Sequence, residues 1–307
     1  FKGPVNQLGL FFYSKSMNVD QKIDSQPVDL DKFDKEGGSK KNLQGWNLKL
    51  AAIVAISWSL FQLWYASPLP YILNFGKIID VPARSLHLAF GLVLCFLIYP
   101  TFRSKRKSKI STSDFVLAFI SLLVTLYIFF DYEGLVYRQG ILAKVEFGSF
   151  VIPYELIIGT LGIVLLLEAT RRAIGIPLVA IALIFLLFSV FGQSMPYLIS
   201  HQGLSITRLV GYHWFGGEAI FGIPISVSVS FIFLFVLFGA ILDTAGGGKY
   251  FINLAFALVG KMRGGPAKAA ILASGLTGLI SGSSVANTVT TGTFTIPIMK
   301  KSGLPAV

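Results

Sequence analysis

Between Gly275 and Lys301 the sequence reads "GLTGLISGSSVANTVTTGTFTIPIMKK", a stretch crowded with small and hydroxyl-bearing residues inside an apolar run. Ser281, Ser283, Ser284 and Asn287 offer neutral side-chain oxygens, and Gly278 and Gly282 allow close approach and unusual backbone angles. Thr288, Thr290, Thr291 and Thr293 add hydroxyls just beyond. Hard oxygen ligands of this kind suit an alkali cation. A broken helix supplies more of them: unwound carbonyls at one half-helix end face a cation, and the N–H groups of the next half-helix face an anion. None of these side chains is charged, so such a site would bind Na⁺ without a permanently buried ion. The same composition also serves close packing of membrane helices, where spacings such as Gly278 to Gly282 arise without any ligand. At this level the two readings stand side by side.

The elements that would carry this stretch are membrane-spanning. Of 307 residues, 54% are hydrophobic and 13% charged, with a mean hydropathy of +0.71, a balance foreign to water-soluble domains. The 26 Lys+Arg against 15 Asp+Glu sit in short clusters between long apolar runs, a pattern set by topology rather than by nucleic acid. Cys95 stands alone and excludes an internal disulfide or a cysteine metal site.

Six apolar runs approach the ~20 residues needed to cross a bilayer: 48–66, 84–102, 114–131, 154–170, 175–198 and 223–242. The loop "RSKRKSK", with Arg103, Lys105, Arg106, Lys107 and Lys109, is cytoplasmic by the positive-inside rule. That assignment places the N-terminal tail, Arg171–Arg172 and Lys249 inside, and Lys77, Arg138, Lys144 and Arg208 outside. Residues 1–45 hold seven Lys against six acids and read as a polar, disordered cytoplasmic tail without the features of a signal peptide. A start at Phe1 and an end at Val307 read as a fragment of a longer chain.

Residues 249–261 offer too few apolar residues to span and suit an interfacial amphipathic helix. The charge-free run 269–299 is then flanked by Lys261, Arg263 and Lys268 before it and by Lys300 and Lys301 after it. A single tilted helix would leave one basic cluster outside. A hairpin that enters from the cytoplasm, turns near Ser281–Ser284 and returns keeps both inside, with limbs of about 15 residues or ~22 Å. Irregular backbone at that depth requires protein or a watery cavity around it. The expected fold class is therefore all-α: a polytopic membrane protein with about six transmembrane helices, an interfacial helix and a re-entrant helical hairpin.

Other candidates are weaker. Glu155 and Glu168 lie near interfaces, with Arg171 and Arg172 within reach of Glu168, and Asp243 ends an apolar run beside glycines. His87, His201 and His213 lack metal-ligand spacing, and no phosphate-binding GxxxxGK[ST] loop occurs.

"GLTGLISGSSVANTVTTGTFTIPIMKKSGLP" and the preceding "FGAILDTAGGGKYFINLAFALVGKMRGGPAKAAILASGL" closely resemble the large membrane subunit of tripartite ATP-independent periplasmic (TRAP) transporters, in the form with fused small and large subunits. The likeness is specific over about 223–305. Upstream, four helices in 46–173 resemble the small subunit by number and position, and "GIPLVAIALIFLLFSVFG" opens the large-subunit-like part, 174–307, which is truncated. The resemblance implies a non-enzymatic permease of the bacterial or archaeal inner membrane, multi-pass with its N-terminus cytoplasmic. It further implies a symporter with Na⁺ as coupling ion and no other cofactor, importing small organic anions such as dicarboxylates, keto acids or amino acids. A periplasmic binding protein, of TAXI type for fused permeases, would deliver the substrate, and membrane lipid would surround the chain. Mapped here, Ser281, Gly282, Ser283, Ser284 and Asn287 fall at the tip of the first hairpin near a Na⁺ site. Thr288, Thr290 and Thr291 are candidates for the substrate path. The rival readings are a proton-coupled transporter using Glu155 or Asp243, and a scaffold whose hairpin only packs helices.

Overall fold

Pairs of capping and turn residues set the helix ends in this computed structural model, which describes residues 41, 43–101, 110–138, 141–147, 150–279, 287–288, 291–292 and 295–296. The principal helices are α1 (Trp46–Ala66), α2 (Asp80–Ile98), α3 (Thr112–Phe130), α4 (Tyr154–Ala173) and α5 (Ile176–Val190). They are followed by α6 (Ile223–Leu242), α7 (Gly247–Val259) and α8 (Gly265–Gly278). Ser111 and Asp114 close a reciprocal capping box at the start of α3. Prolines stand in the first turns of α5, α6 and α8, where the missing N–H costs nothing. Gly175, at φ 128°, makes the tight turn from α4 to α5.

Helices α2, α3 and α4 form an antiparallel bundle. Its core joins Leu92, Phe96 and Leu97 of α2 to Ala118 of α3 and Leu165 and Ala169 of α4. A second core seats Trp214 and Phe221 against Val124 and Ile128. Gly162 makes that possible: a Cβ there would lie 2.2 Å from the Trp214 ring. A third cluster, Ile252, Ala255, Ala269 and Ala273, pairs α7 with α8; alanines at 269 and 273 let the two helices approach closely.

Outside these cores the helices present apolar side chains outward. Leu60, Phe119, Ile184 and Phe235 are each more than half exposed, and α5 buries no residue. So continuous an apolar surface is stable only in lipid. By length and composition, α1, α2, α3 and α6 can each cross a membrane. The chain is thus an all-α polytopic membrane protein, as the sequence predicts.

Three details differ from expectation. The apolar run 175–198 is helical only to Val190 and then turns at Gly192–Ser194. The reason is a fold-back: the His201 ring packs on Gly192, where a Cβ would lie 2.2 Å away. A small antiparallel ribbon, Val145–Phe147 against Phe150–Ile152, precedes α4. Lys41, in the tail expected to be solvated, is buried, and its backbone N–H donates to the Ile98 carbonyl over 2.9 Å.

Candidate functional site

The exit limb returns alongside α8. Along one continuous helix Thr277 and Asn287 would stand ~15 Å apart, yet the Thr277 hydroxyl hydrogen-bonds Asn287 Oδ1. The Asn287 Nδ2 amide donates to the Ser274 carbonyl over 3.1 Å and reaches Ser274 Oγ at 3.3 Å. Both ends of the Asn287 amide therefore grip α8. Gly278 leaves room for it, since a Cβ at that position would lie 3.3 Å from Asn287 Nδ2.

Beyond Asn287 the hydroxyls follow one helical face. Thr291 Oγ1 donates to the Asn287 carbonyl and Thr295 Oγ1 to the Thr291 carbonyl, each over 2.7 Å. These are ordinary bonds to the fourth preceding residue, and they leave the hydroxyl oxygens able to accept. Between the limbs lies an open cleft of about 430 Å³ lined by Ala270, Ile271, Ser274, Thr288, Thr291 and Thr295, among others. Among the described residues no charged side chain lines it. Of the residues predicted for a site, Asn287, Thr288 and Thr291 are thus placed together; Ser281, Gly282, Ser283, Ser284 and Thr290 lie outside the described residues.

Two of the acids predicted as weaker candidates, Glu168 and Glu155, are structural in this geometry. Glu168 is held by Arg171 and by Arg172, with Arg172 Nε at 2.7 Å. Glu155 is fully buried, paired with Arg138, and accepts from Tyr127 OH over 2.6 Å and from the Ala143 backbone N–H. Asp131 accepts from the same Arg138 over 2.6 Å, and that guanidinium holds its carboxyl below the usual carboxylate range. Asp243 is a helical residue of the Phe233–Thr244 segment. Among the described residues no cluster of His, Cys, Asp or Glu could hold a metal ion.

Two polar sites were not foreseen. At one end of the bundle, Asp114 receives Lys41 and Arg172, each over 2.7 Å, with all three side chains at most 3% exposed. Lys41 Nζ also reaches the Phe96 and Leu97 carbonyls, so it caps the last turn of α2, whose carbonyls have no partner within the helix. Burial pulls the Lys41 ammonium below the ordinary lysine range, against the opposing pull of Asp114. Between the helices, His87 links α1, α2 and α6. The Trp58 indole N–H donates to His87 Nδ1 over 3.1 Å, so the ring proton sits on Nε2, which faces Ser228 Oγ at 3.1 Å. The capping box was readable as Ser-x-x-Asp.

The fold defines a multi-pass helical membrane protein. Residues 161–307 match the family described as "Tripartite ATP-independent periplasmic transporter, DctM component", so that stretch is similar to the TRAP-transporter permeases. It is 31% identical over 155 residues to the uncharacterized protein YgiK of Salmonella typhimurium, an alignment covering 50% of this chain and 31% of that one. It is 44% identical over 71 residues to the C4-dicarboxylate TRAP transporter large permease protein DctM of Pseudomonas aeruginosa, covering 23% of this chain and 17% of that one. The chain therefore spans less than a third of the length of either relative. No solved structure matches it.

Proposed function

We propose that this chain forms the first part of a Na⁺-coupled secondary transporter of the inner membrane, with its N-terminus cytoplasmic, importing small organic anions delivered by a periplasmic binding protein. The observation that carries this reading is the gripped Asn287 amide, which fastens the exit limb of an uncharged, hydroxyl-rich hairpin inside the family-matching segment. In this reading Ser281, Gly282, Ser283 and Ser284 supply carbonyl and hydroxyl oxygens to Na⁺. Asn287, fastened to α8 through Ser274 and Thr277, positions them. Thr288, Thr290 and Thr291 line the path of the anion, where helix N–H groups and hydroxyls replace part of its hydration. Dicarboxylates, keto acids and amino acids share the carboxylate such donors suit, and a TAXI-type receptor fits a fused small and large subunit. The proton-coupled alternative loses support from Glu155, whose carboxylate is committed to Arg138 and Tyr127.

The test is uptake by the complete protein carrying Ser283→Ala and Asn287→Ala. A Na⁺ requirement weakened at least tenfold, about 1.4 kcal/mol, with normal insertion, fits the proposal. An unchanged Na⁺ requirement overturns the site. A cysteine beside Lys300 that labels from the outside would replace the re-entrant hairpin with a spanning helix.

A further inference from the structure

The turn between α7 and α8 carries charge of one sign that no acid among the described residues answers. Lys249 stands in the first turn of α7, Lys261 and Arg263 follow its end, and Lys268 stands in the first turn of α8; all four are exposed. None forms an ion pair among the described residues, whereas Lys41, Arg84, Arg138, Arg171 and Arg172 all do. The sequence has no Asp or Glu after Asp243, so no acid within 244–307 could supply a partner.

Apolar side chains are interleaved with these cations. Tyr250, Leu258 and Met262 are each more than half exposed, and the opposite face of α7, with Ile252 and Ala255, is closed against Ala269 and Ala273. Lys249 and Lys261 stand ~18 Å apart along the α7 axis, with Tyr250 and Leu258 between them in sequence. A helix with cations over an outward apolar face lies in a headgroup layer, its apolar groups at the acyl boundary and its ammonium groups reaching up to phosphate. A soluble acidic protein would meet the charge but leave the apolar side chains unsatisfied; a neutral bilayer would meet only the apolar ones.

We propose that Lys249, Lys261, Arg263 and Lys268 form a docking surface for anionic phospholipid headgroups, which fixes the α7–α8 turn, and so the base of the hairpin, to the membrane surface. This does not rest on the transport reading. Met262→Cys in a Cys95→Ala background, labelled with a fluorophore, reports which lipids surround the turn. The chain is placed in nanodiscs of phosphatidylcholine mixed with phosphatidylglycerol, with one or the other lipid brominated to quench the label. Brominated phosphatidylglycerol should quench more strongly, corresponding to an enrichment of at least about fivefold, the share expected of one cation at a charged surface. High salt should erase the enrichment. The four-fold Gln variant should lose it and the variant with three lysines changed to Arg should keep it; all are surface changes that leave the cores intact. Equal quenching by the two lipids, or enrichment that survives in the Gln variant, overturns the proposal. So does loss of enrichment on adding inorganic phosphate when chloride of equal ionic strength has no effect, because that outcome assigns the surface to a soluble phosphate.

Discussion

Gln62 of α1 donates its side-chain amide to the main-chain carbonyl of Val229 over 2.7 Å, and Val229 lies in a π turn, Ser228–Ile232, within α6. A π turn inserts a residue into the helical repeat and frees a carbonyl from its regular partner. Gln62 is fully buried and satisfies that carbonyl where water is absent, while His87 engages the neighbouring Ser228 hydroxyl. Two side chains from α1 and α2 thus hold the register of α6.

Gln62→Leu should therefore destabilise the protein by about 1–3 kcal/mol, the usual consequence of leaving a buried polar group unpaired. Deleting Val229 in that background removes the extra residue and should recover part of the loss by restoring a regular helix. Unfolding in mixed micelles measures both. A deletion that only worsens stability would mean that the π turn is intrinsic to α6 rather than held by Gln62.

Asp114 carries a larger share. It is buried between Lys41 and Arg172, and removal of one member of a buried ion pair strands the others. Asp114→Asn should lower stability by about 3–5 kcal/mol. Lys41→Met alone should cost less, because Arg172 still answers the carboxylate. Combining the two should cost less than the sum of the single changes, since the double variant leaves one buried cation rather than two. A thermal-unfolding cycle over the four proteins reads the coupling directly.

At the other end of the bundle the Arg138 guanidinium depresses the Asp131 carboxyl. A carboxyl whose folded pKa lies below its unfolded value of about 3.9 contributes its stabilisation fully above that value, and loses it as the pH falls through the folded pKa. Stability should thus begin to fall below roughly pH 4. Asp131→Asn should flatten part of that acid limb. With Asp131 37% exposed, the contribution stays below about 1 kcal/mol. Thermal midpoints across the acid range, native against variant, test the sign.

The sequence reveals the spans because apolar length is additive along a chain: α1, α2, α3 and α6 fall within a few residues of the runs 48–66, 84–102, 114–131 and 223–242. It does not reveal that Lys41 is buried, because its partners, Asp114 and the carbonyls of α2, are more than fifty residues away. The fifth run misleads for a related reason. Its apolar residues continue past Val190, but the His201 ring on Gly192 turns the chain, and a contact across nine residues leaves no trace in hydropathy. That the chain turns back on α8 was legible from the symmetry of the basic flanks and the small residues. That Asn287 points both ends of its amide at α8 was not, since an asparagine in a polar stretch reads equally as ligand or as fastener.

The Thr277–Asn287 contact offers the sharpest test of that distinction. If Asn287 acts through α8, then Thr277→Val, which keeps the side-chain shape and removes the hydroxyl, should weaken the Na⁺ requirement of the complete protein in the same direction as Asn287→Ala. The two changes together should cost little more than Asn287→Ala alone, because the second removes a partner already lost. Gly278→Ala should act similarly by pushing the Asn287 amide, whose Nδ2 lies 3.3 Å from the added methyl. Each single change should cost about 1–2 kcal/mol of apparent Na⁺ affinity, a five- to thirty-fold change in half-saturating concentration. Strict additivity of Thr277→Val and Asn287→Ala would show that the two residues act independently, and would return Asn287 to the role of a direct ligand.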